Sequence, residues 1–311
     1  MTTKNFVIFA SNHLGDTIVL SELIYNIRHF YESVNICLVV YPQWEYLANL
    51  MEGIDKVVVL NKKSVHKGLK GTINLKKDIG YKDVYASFVT FRRQRPIFIS
   101  NLLNSKYILF NDINFFFDTF LRRSRYKIIS DKNVFIGCEV TNLLSGILQE
   151  KFIHVPIKLN AEKIIETHID FNPAEYIAIN PIGNGDYKCM TVEQLKEIIS
   201  VFNHNDKKVL VLGSGEKAQE YSDALHKTNV LFLDLINKTN VQELVYIINN
   251  LKGIISVDTG SAHVATYLGK KTLWVASRHQ WIPDELYENS ANIPLKSPAE
   301  TVYAEMMKLL S

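Results

Sequence analysis

The chain has 311 residues, 47% hydrophobic and 22% charged, which gives room for two domains with their own cores and excludes a disordered or fibrous protein. A net charge of +3 is too small to imply a nucleic-acid partner. The cysteines, Cys37, Cys138 and Cys189, are odd in number and never spaced as CxxC, which argues for buried thiols in a reducing compartment and against a disulfide framework or zinc site.

In chain order, Met1 to Leu20 lacks a basic start and is interrupted by Asn12, His13 and Asp16, so it does not read as a secretory signal. No window reaches the roughly 18 apolar residues of a membrane span. The expectation is a cytoplasmic protein that can touch the inner face of the membrane. Phe6–Ala10, Ile36–Tyr41, Lys56–Leu60 and Val84–Val89 read as strands, each followed by helical periodicity. A second such series runs through Tyr176–Asn180, Lys208–Leu212, Val230–Leu233, Ile254–Val257 and Thr272–Ala276. The alternation predicts an α/β fold with two Rossmann-like halves, 1–154 and 175–311. A linker over 155–174 lies between them, in a stretch with two prolines and no β partner. Ser297–Leu310 predicts an amphipathic closing helix that either half could accept, the first included.

Two motifs stand at the carboxyl ends of predicted strands, where open α/β sheets bind ligands. One is Gly15-Asp16 after the first strand. The other is Asp258-Thr259-Gly260-Ser261-Ala262-His263, a turn from an apolar run into a helix. Such a turn presents unpaired N–H groups at the positive end of a helix dipole, a natural phosphate site. Thr259 or Asp258 could equally be plain caps, and Asp16 could be an N-cap. Between the motifs, Asn180-Pro181-Ile182-Gly183 leads to Asn184 and Lys188, an amide donor and an ammonium that could meet phosphate charge or simply be solvated. Thr191 and Gln194 read as a capping box.

Taken together, these motifs resemble glycosyltransferase family 9, the heptosyltransferases, over nearly the full length and most specifically over Tyr176–Ser277. The resemblance implies a GT-B fold, two Rossmann-like domains facing a central cleft, with the acceptor in the first and a nucleotide-sugar donor in the second. It implies inverting, metal-independent transfer of a sugar, with ADP-heptose the expected donor, to a phosphorylated lipopolysaccharide or lipooligosaccharide core acceptor, without a cofactor. On this reading Asp16 is the catalytic base and Lys188 serves the departing diphosphate. Gly15, Asn184, Glu216, Asp258, Thr259, Gly260 and His263 bind the donor, with Glu216 on the ribose. The chain departs from the family pattern at Glu22, where proline is usual, at Cys189-Met190-Thr191, where a Trp-Pro pair two residues after the lysine is usual, and at Ser277–Trp281, which lacks a Gly-x-Thr turn.

Two basic clusters, Arg92, Arg93 and Arg95, and Arg122, Arg123 and Arg125, stand out, the second beside an aromatic run from Phe115 to Phe120. They suit a phosphorylated lipid acceptor or membrane interface, or else a solvated face. Gly213-Ser214-Gly215 with Asp234 about twenty residues on imitates a dinucleotide fingerprint, which keeps an NAD-dependent oxidoreductase as a rival. A catalytically silent nucleotide-sugar-binding protein is the other.

Overall fold

The computed structural model describes residues 2–90, 94–110, 126–128, 140–148, 152–153, 159–277 and 288–311, residues 94 and 126–128 by their backbone alone. They form two compact units, Met1–Ile157 and Lys158–Ser311.

The first unit runs β1 Lys4–Phe9, α1 Leu14–Ile18, α2 Leu20–Phe30, β2 Val34–Val40, α3 Glu45–Leu50 and β3 Lys56–Val59, followed by α4 Gly68–Ile79, β4 Ala86–Val89, α5 Gln94–Leu102, β5 Tyr107–Phe110 and β6 Tyr126–Ile128. All pairings are parallel, in the order β3-β2-β1-β4-β5-β6. Helices cover a parallel sheet on both faces, so its central strands are apolar without alternation. Phe6, Val7, Ile8 and Phe9 of β1 are accordingly all buried. On one face Val7, Phe9, Cys37, Val39, Leu75 and Ile108 share a core. Burial pushes the Cys37 thiol up to about 12, so it is an inert packing group.

The second unit repeats the plan: β7 Tyr176–Asn180, α6 Val192–His204, β8 Lys208–Val211, α7 Glu216–Leu225, β9 Leu233–Asp234 and α8 Val241–Asn250. It continues with β10 Gly253–Ser256, α9 Gly260–Tyr267, β11 Thr272–Ala276, β12 Ser290–Pro294 and α10 Ala299–Leu310. Its order, β12-β11-β10-β7-β8-β9, is the same connectivity read from the other edge. Strands β5, β6 and β12 were not expected from sequence. The first two are short, and β12 is built from Ser-Ala-Asn-Ile-Pro, which carries little β signal.

The expected strand Val230–Leu233 contracts to Leu233–Asp234 because the Asn203 side chain captures Leu231, accepting from its N–H at 2.8 Å and donating to its C=O at 3.0 Å. The expected capping box at α6 forms only by half. Thr191 Oγ1 accepts from Gln194 N at 3.1 Å, but the Gln194 amide donates to Leu295 O at 2.7 Å and so ties the chain's end to this helix. The closing helix α10 packs within the second unit: Val302 and Met306 enter its core, and Tyr303 meets Phe202 edge-on at 5.0 Å. Gly253 makes room for it, since a Cβ there would lie 2.1 Å from Met306 Cε.

Candidate active site

In each sheet the strand order reverses beside the first strand, between β1 and β4 and between β10 and β7. Connections on the two sides of such a point run to opposite faces, and the crevice left at the carboxyl ends is where α/β sheets hold ligands. In the second unit the loops leaving β7 and β10 border that crevice. Asn180, the last residue of β7, locks them together. Its Nδ2 donates to Ser261 Oγ at 2.6 Å across the gap, and its Oδ1 accepts from Ile182 N at 3.3 Å.

The β7 loop then folds back tightly. A Cβ at Gly183 would lie 2.7 Å from Lys188 Cβ and 3.2 Å from the Asp258 carbonyl oxygen, so only glycine fits. Gly185 takes φ +108°, and Met190, buried, returns its N–H to Pro181 O at 2.9 Å. The outcome is that Lys188 Nζ reaches Asp258 Oδ2 at 2.5 Å. His263 Nε2, one helical turn into α9, lies 3.5 Å from Asp258 Oδ1. The imidazole is buried and stands edge-on to Trp274, centroids 5.0 Å apart, and Trp274 Nε1 donates to Thr266 Oγ1 at 3.1 Å. Burial alone would raise the Asp258 pKa, but hydrogen bonds and charge from His263 and Lys188 hold it at about 2. This carboxylate is therefore ionised and fixes two cationic or hydrogen-bonding groups.

Thr259 is the N-cap residue of α9 by backbone geometry, extended at φ −141° and ψ 168°, yet its side chain makes no capping bond. Its hydroxyl instead joins Ser261 Oγ at 2.8 Å and Ser256 Oγ at 3.2 Å. The simple capping expectation for Thr259 is thus wrong, and the side chain of the N-cap does not occupy the positive end of the helix dipole. Asn184 and Glu216 are both exposed, Asn184 in the Lys188 loop and Glu216 as the first residue of α7 on the neighbouring strand connection. A contact that sequence reasoning missed links these two segments: Lys217 Nζ bonds Asp186 Oδ1 at 2.5 Å. That hydrogen bond raises the Lys217 pKa.

Asp234, the acid of the apparent dinucleotide fingerprint, is committed elsewhere. Its carboxylate accepts from Ser222 Oγ at 2.8 Å, Lys238 Nζ at 3.1 Å and Ile236 N at 3.0 Å, with His226 Nε2 at 3.2 Å. A ribose diol would have to displace these partners, which removes the observation that favoured an oxidoreductase. Among the described residues no group of three or more His, Cys, Asp or Glu side chains could hold a metal ion.

In the first unit, Gly15 and Asp16 fall inside α1 rather than in a loop before it, and the N-cap is His13, at φ −111° and ψ 142°. Asp16 is therefore not the cap but sits in the first turn of α1. Ser11 Oγ donates to Asp16 Oδ2 at 2.9 Å and accepts from His13 N at 3.0 Å, so the half-buried carboxylate is held in one orientation. Gly15 is buried. Of the arginines, Arg92, Arg93, Arg122, Arg123 and Arg125 lie outside the described residues. Arg95 is half-buried and donates from Nη2 to the His66 carbonyl. Burial lowers its pKa.

Two units of one connectivity, each with polar groups gathered at the switch point of its sheet, give the chain the GT-B fold. The family model for glycosyltransferase family 9 (heptosyltransferase) matches residues 136–304, and the chain belongs to that family. It is 23% identical to lipooligosaccharide heptosyltransferase 2 of Campylobacter jejuni over 266 residues, 84% of this chain and 77% of that protein. Its fold is similar to the family 9 glycosyl transferase of Veillonella parvula, with a TM-score of 0.76 at 15% identity, covering 100% of this chain and 98% of the other. It is also similar to the ADP-heptose lps heptosyltransferase II of E. coli, with a TM-score of 0.74 at 12% identity, covering 98% of each chain.

Proposed function

We propose that this glycosyltransferase moves heptose from ADP-heptose, with inversion and without a metal, to a hydroxyl of a lipopolysaccharide or lipooligosaccharide core, working at the inner face of the cytoplasmic membrane. Asp16 takes the proton of the acceptor hydroxyl as that oxygen attacks the anomeric carbon. The bond from that carbon to the diphosphate oxygen breaks, and its electron pair leaves with ADP. Lys188, His263 and the N–H groups opening α9 meet the charge that develops there. Asp258 holds Lys188 and His263 in place for that moment. Asn184, Thr259 and Gly260 complete the donor site, with Glu216 toward the ribose. The arginines at 92, 93, 122, 123 and 125 attract the phosphorylated acceptor, while Arg95 acts indirectly by holding the His66 segment.

The single observation that carries the reading is the Lys188–Asp258–His263 group at the start of α9, beside the switch point of the second sheet. A catalytic constellation preorganised in this way costs little reorganisation during the reaction. The test is a mass-spectrometric panel of nucleotide sugars with a core oligosaccharide acceptor. Transfer fastest from ADP-heptose supports the proposal, a UDP-hexose outperforming it removes the donor assignment, and binding of ADP without any turnover makes the chain a silent binder.

A further inference from the structure

Helix α4 has two apolar faces, and among the described residues only one of them is packed. With about 100° per residue, Thr72, Leu75 and Ile79 share the buried face, while Leu69 and Ile73 share a second stripe turned away from it. On the helical wheel Lys76 flanks that stripe on one side, and Lys70 and Lys77 on the other, all three exposed. Val65 is exposed in the preceding turn, and Phe98 is exposed on α5, which packs against α4. Seven large hydrophobic side chains are exposed among the described residues, and four of them fall here: Val65 at 60%, Leu69 at 78%, Ile73 at 53% and Phe98 at 48%. Single exposed hydrophobics need no explanation, but a cluster on one surface does.

The patch is built rather than frayed. A Cβ at Gly71 would lie 2.0 Å from the His66 backbone carbon, so glycine lets the 61–67 turn press onto α4. Asn74 Nδ2 donates to Val65 O at 2.9 Å, and His66 Nε2 meets Asp78 Oδ2 at 2.7 Å. Residues 61–77 carry lysines at 62, 63, 67, 70, 76 and 77 and no acidic residue, and the next acid, Asp78, is occupied by His66.

We infer that the Val65–Ile73 face of α4, with Phe98, docks the enzyme on an anionic lipid bilayer. Apolar side chains of this size enter the headgroup boundary while lysines around them meet negative lipid, the two signals that stable surface binding requires. A protein partner would match the hydrophobics but would need an acidic rim for these lysines. The turn that feeds α4 leaves β3 at the same edge of the sheet from which the Asp16 turn leaves β1. Docking therefore brings the lipid surface to the edge that carries the proposed base. The inference rests on the membrane-contact part of the proposed function and not on the transfer reaction.

The test is co-sedimentation of the full chain with vesicles of phosphatidylglycerol and phosphatidylcholine, against phosphatidylcholine alone. The expected result is at least about tenfold stronger binding to the anionic vesicles. Lys70→Gln/Lys76→Gln/Lys77→Gln should weaken it roughly 100-fold, from about a factor of five per lysine, and flatten its salt dependence. Leu69→Ser/Ile73→Ser should weaken it at least about tenfold while lowering the melting temperature by no more than a few degrees, because both side chains are more than half exposed. In an otherwise unchanged chain, Leu69→Trp emission should shift to the blue on anionic vesicles. Equal binding to both vesicle types, wild-type binding by the two multiple variants, or an unshifted tryptophan overturns the inference. So does a serine variant that converts a dimer to a monomer while its vesicle binding persists, which would make a second copy the occupant. Turnover with a lipid-free core oligosaccharide is the separate readout: all three variants keep it, and its absence in the wild type would count against the reaction rather than the surface.

Discussion

Lys188 Nζ lies 2.5 Å from Asp258 Oδ2, an ion pair between the loop that leaves β7 and the turn that leaves β10, seventy residues apart in the chain. Both side chains are about one-fifth exposed, at 21% and 20%, so the pair is neither a screened surface contact nor a sealed core bridge. On the proposed reading, an arriving diphosphate competes for the ammonium, and the carboxylate keeps that ammonium aimed until it does.

Replacement of Lys188 by Ala removes the cation, and a lost charge-assisted hydrogen bond corresponds to about a 10- to 100-fold loss of ADP affinity. Asp258→Ala leaves the cation but frees it to wander. Transfer should then fall by a larger factor than ADP affinity. Calorimetric titration with ADP, set beside turnover of ADP-heptose, checks both, and equal losses for Asp258→Ala would contradict the positioning role.

Asp16→Asn keeps the size of the side chain and its place in the first turn of α1, yet cannot accept a proton. Turnover is expected to fall roughly 100-fold or more, the usual contribution of general base catalysis, with ADP affinity unchanged. Ser11→Ala keeps the carboxylate and removes the hydroxyl that orients it, for a loss of about tenfold. A Ser11→Thr variant that restores the rate would show that orientation is what Ser11 supplies.

Acid should unmask the Asp258 contribution to stability. Its pKa is about 2 in the folded chain against an ordinary 3.8, so between those values the unfolded form binds more protons and stability rises with pH. The contribution, about 2 kcal/mol, is complete above the ordinary value and lost as the pH falls to about 2. Urea unfolding of the wild type and Asp258→Asn from about pH 5 downward should give midpoints that converge. A gap that stays constant would mean the carboxylate is not held this way.

Gly183→Ala places a methyl group where Lys188 and the Asp258 carbonyl already sit. The loop must open by several tenths of an ångström, which moves the ammonium away from its partner. About a tenfold loss of ADP affinity is expected with a melting temperature lowered by only a few degrees, since the loop lies outside the core. Unchanged affinity would show that the close approach is incidental.

Chelation should leave turnover intact, because the proposed chemistry meets the leaving charge with Lys188, His263 and backbone N–H groups alone. An assay with and without EDTA decides it. Activity that disappears and then returns with a divalent ion would replace this account of the leaving group.

Sequence alone determined the class of the fold and placed two motifs beyond the carboxyl ends of strands. Apolar runs such as Phe6–Phe9 and Gly253–Ser256, each followed by helical periodicity, are local signals that survive without knowledge of the partner strands. The Asp-Thr-Gly-x-x-His and Gly-Asp motifs are likewise local, because a strand, a tight turn and a helix start are specified by adjacent residues. Strands β5, β6 and β12 were illegible, since their pairing comes from neighbours distant in sequence. The contraction at Leu231 was hidden for a similar reason: an asparagine twenty-eight residues away captures that backbone. The roles of side chains were decided only in three dimensions. Asp16 proved to be a held carboxylate rather than a cap, Thr259 a hydroxyl bonded sideways rather than into its helix, and Asp234 a structural hub rather than a ribose ligand. Each outcome turns on which hydrogen-bond partner is nearest, and distance between side chains is set by packing of the sheet and its helices, not by spacing along the chain.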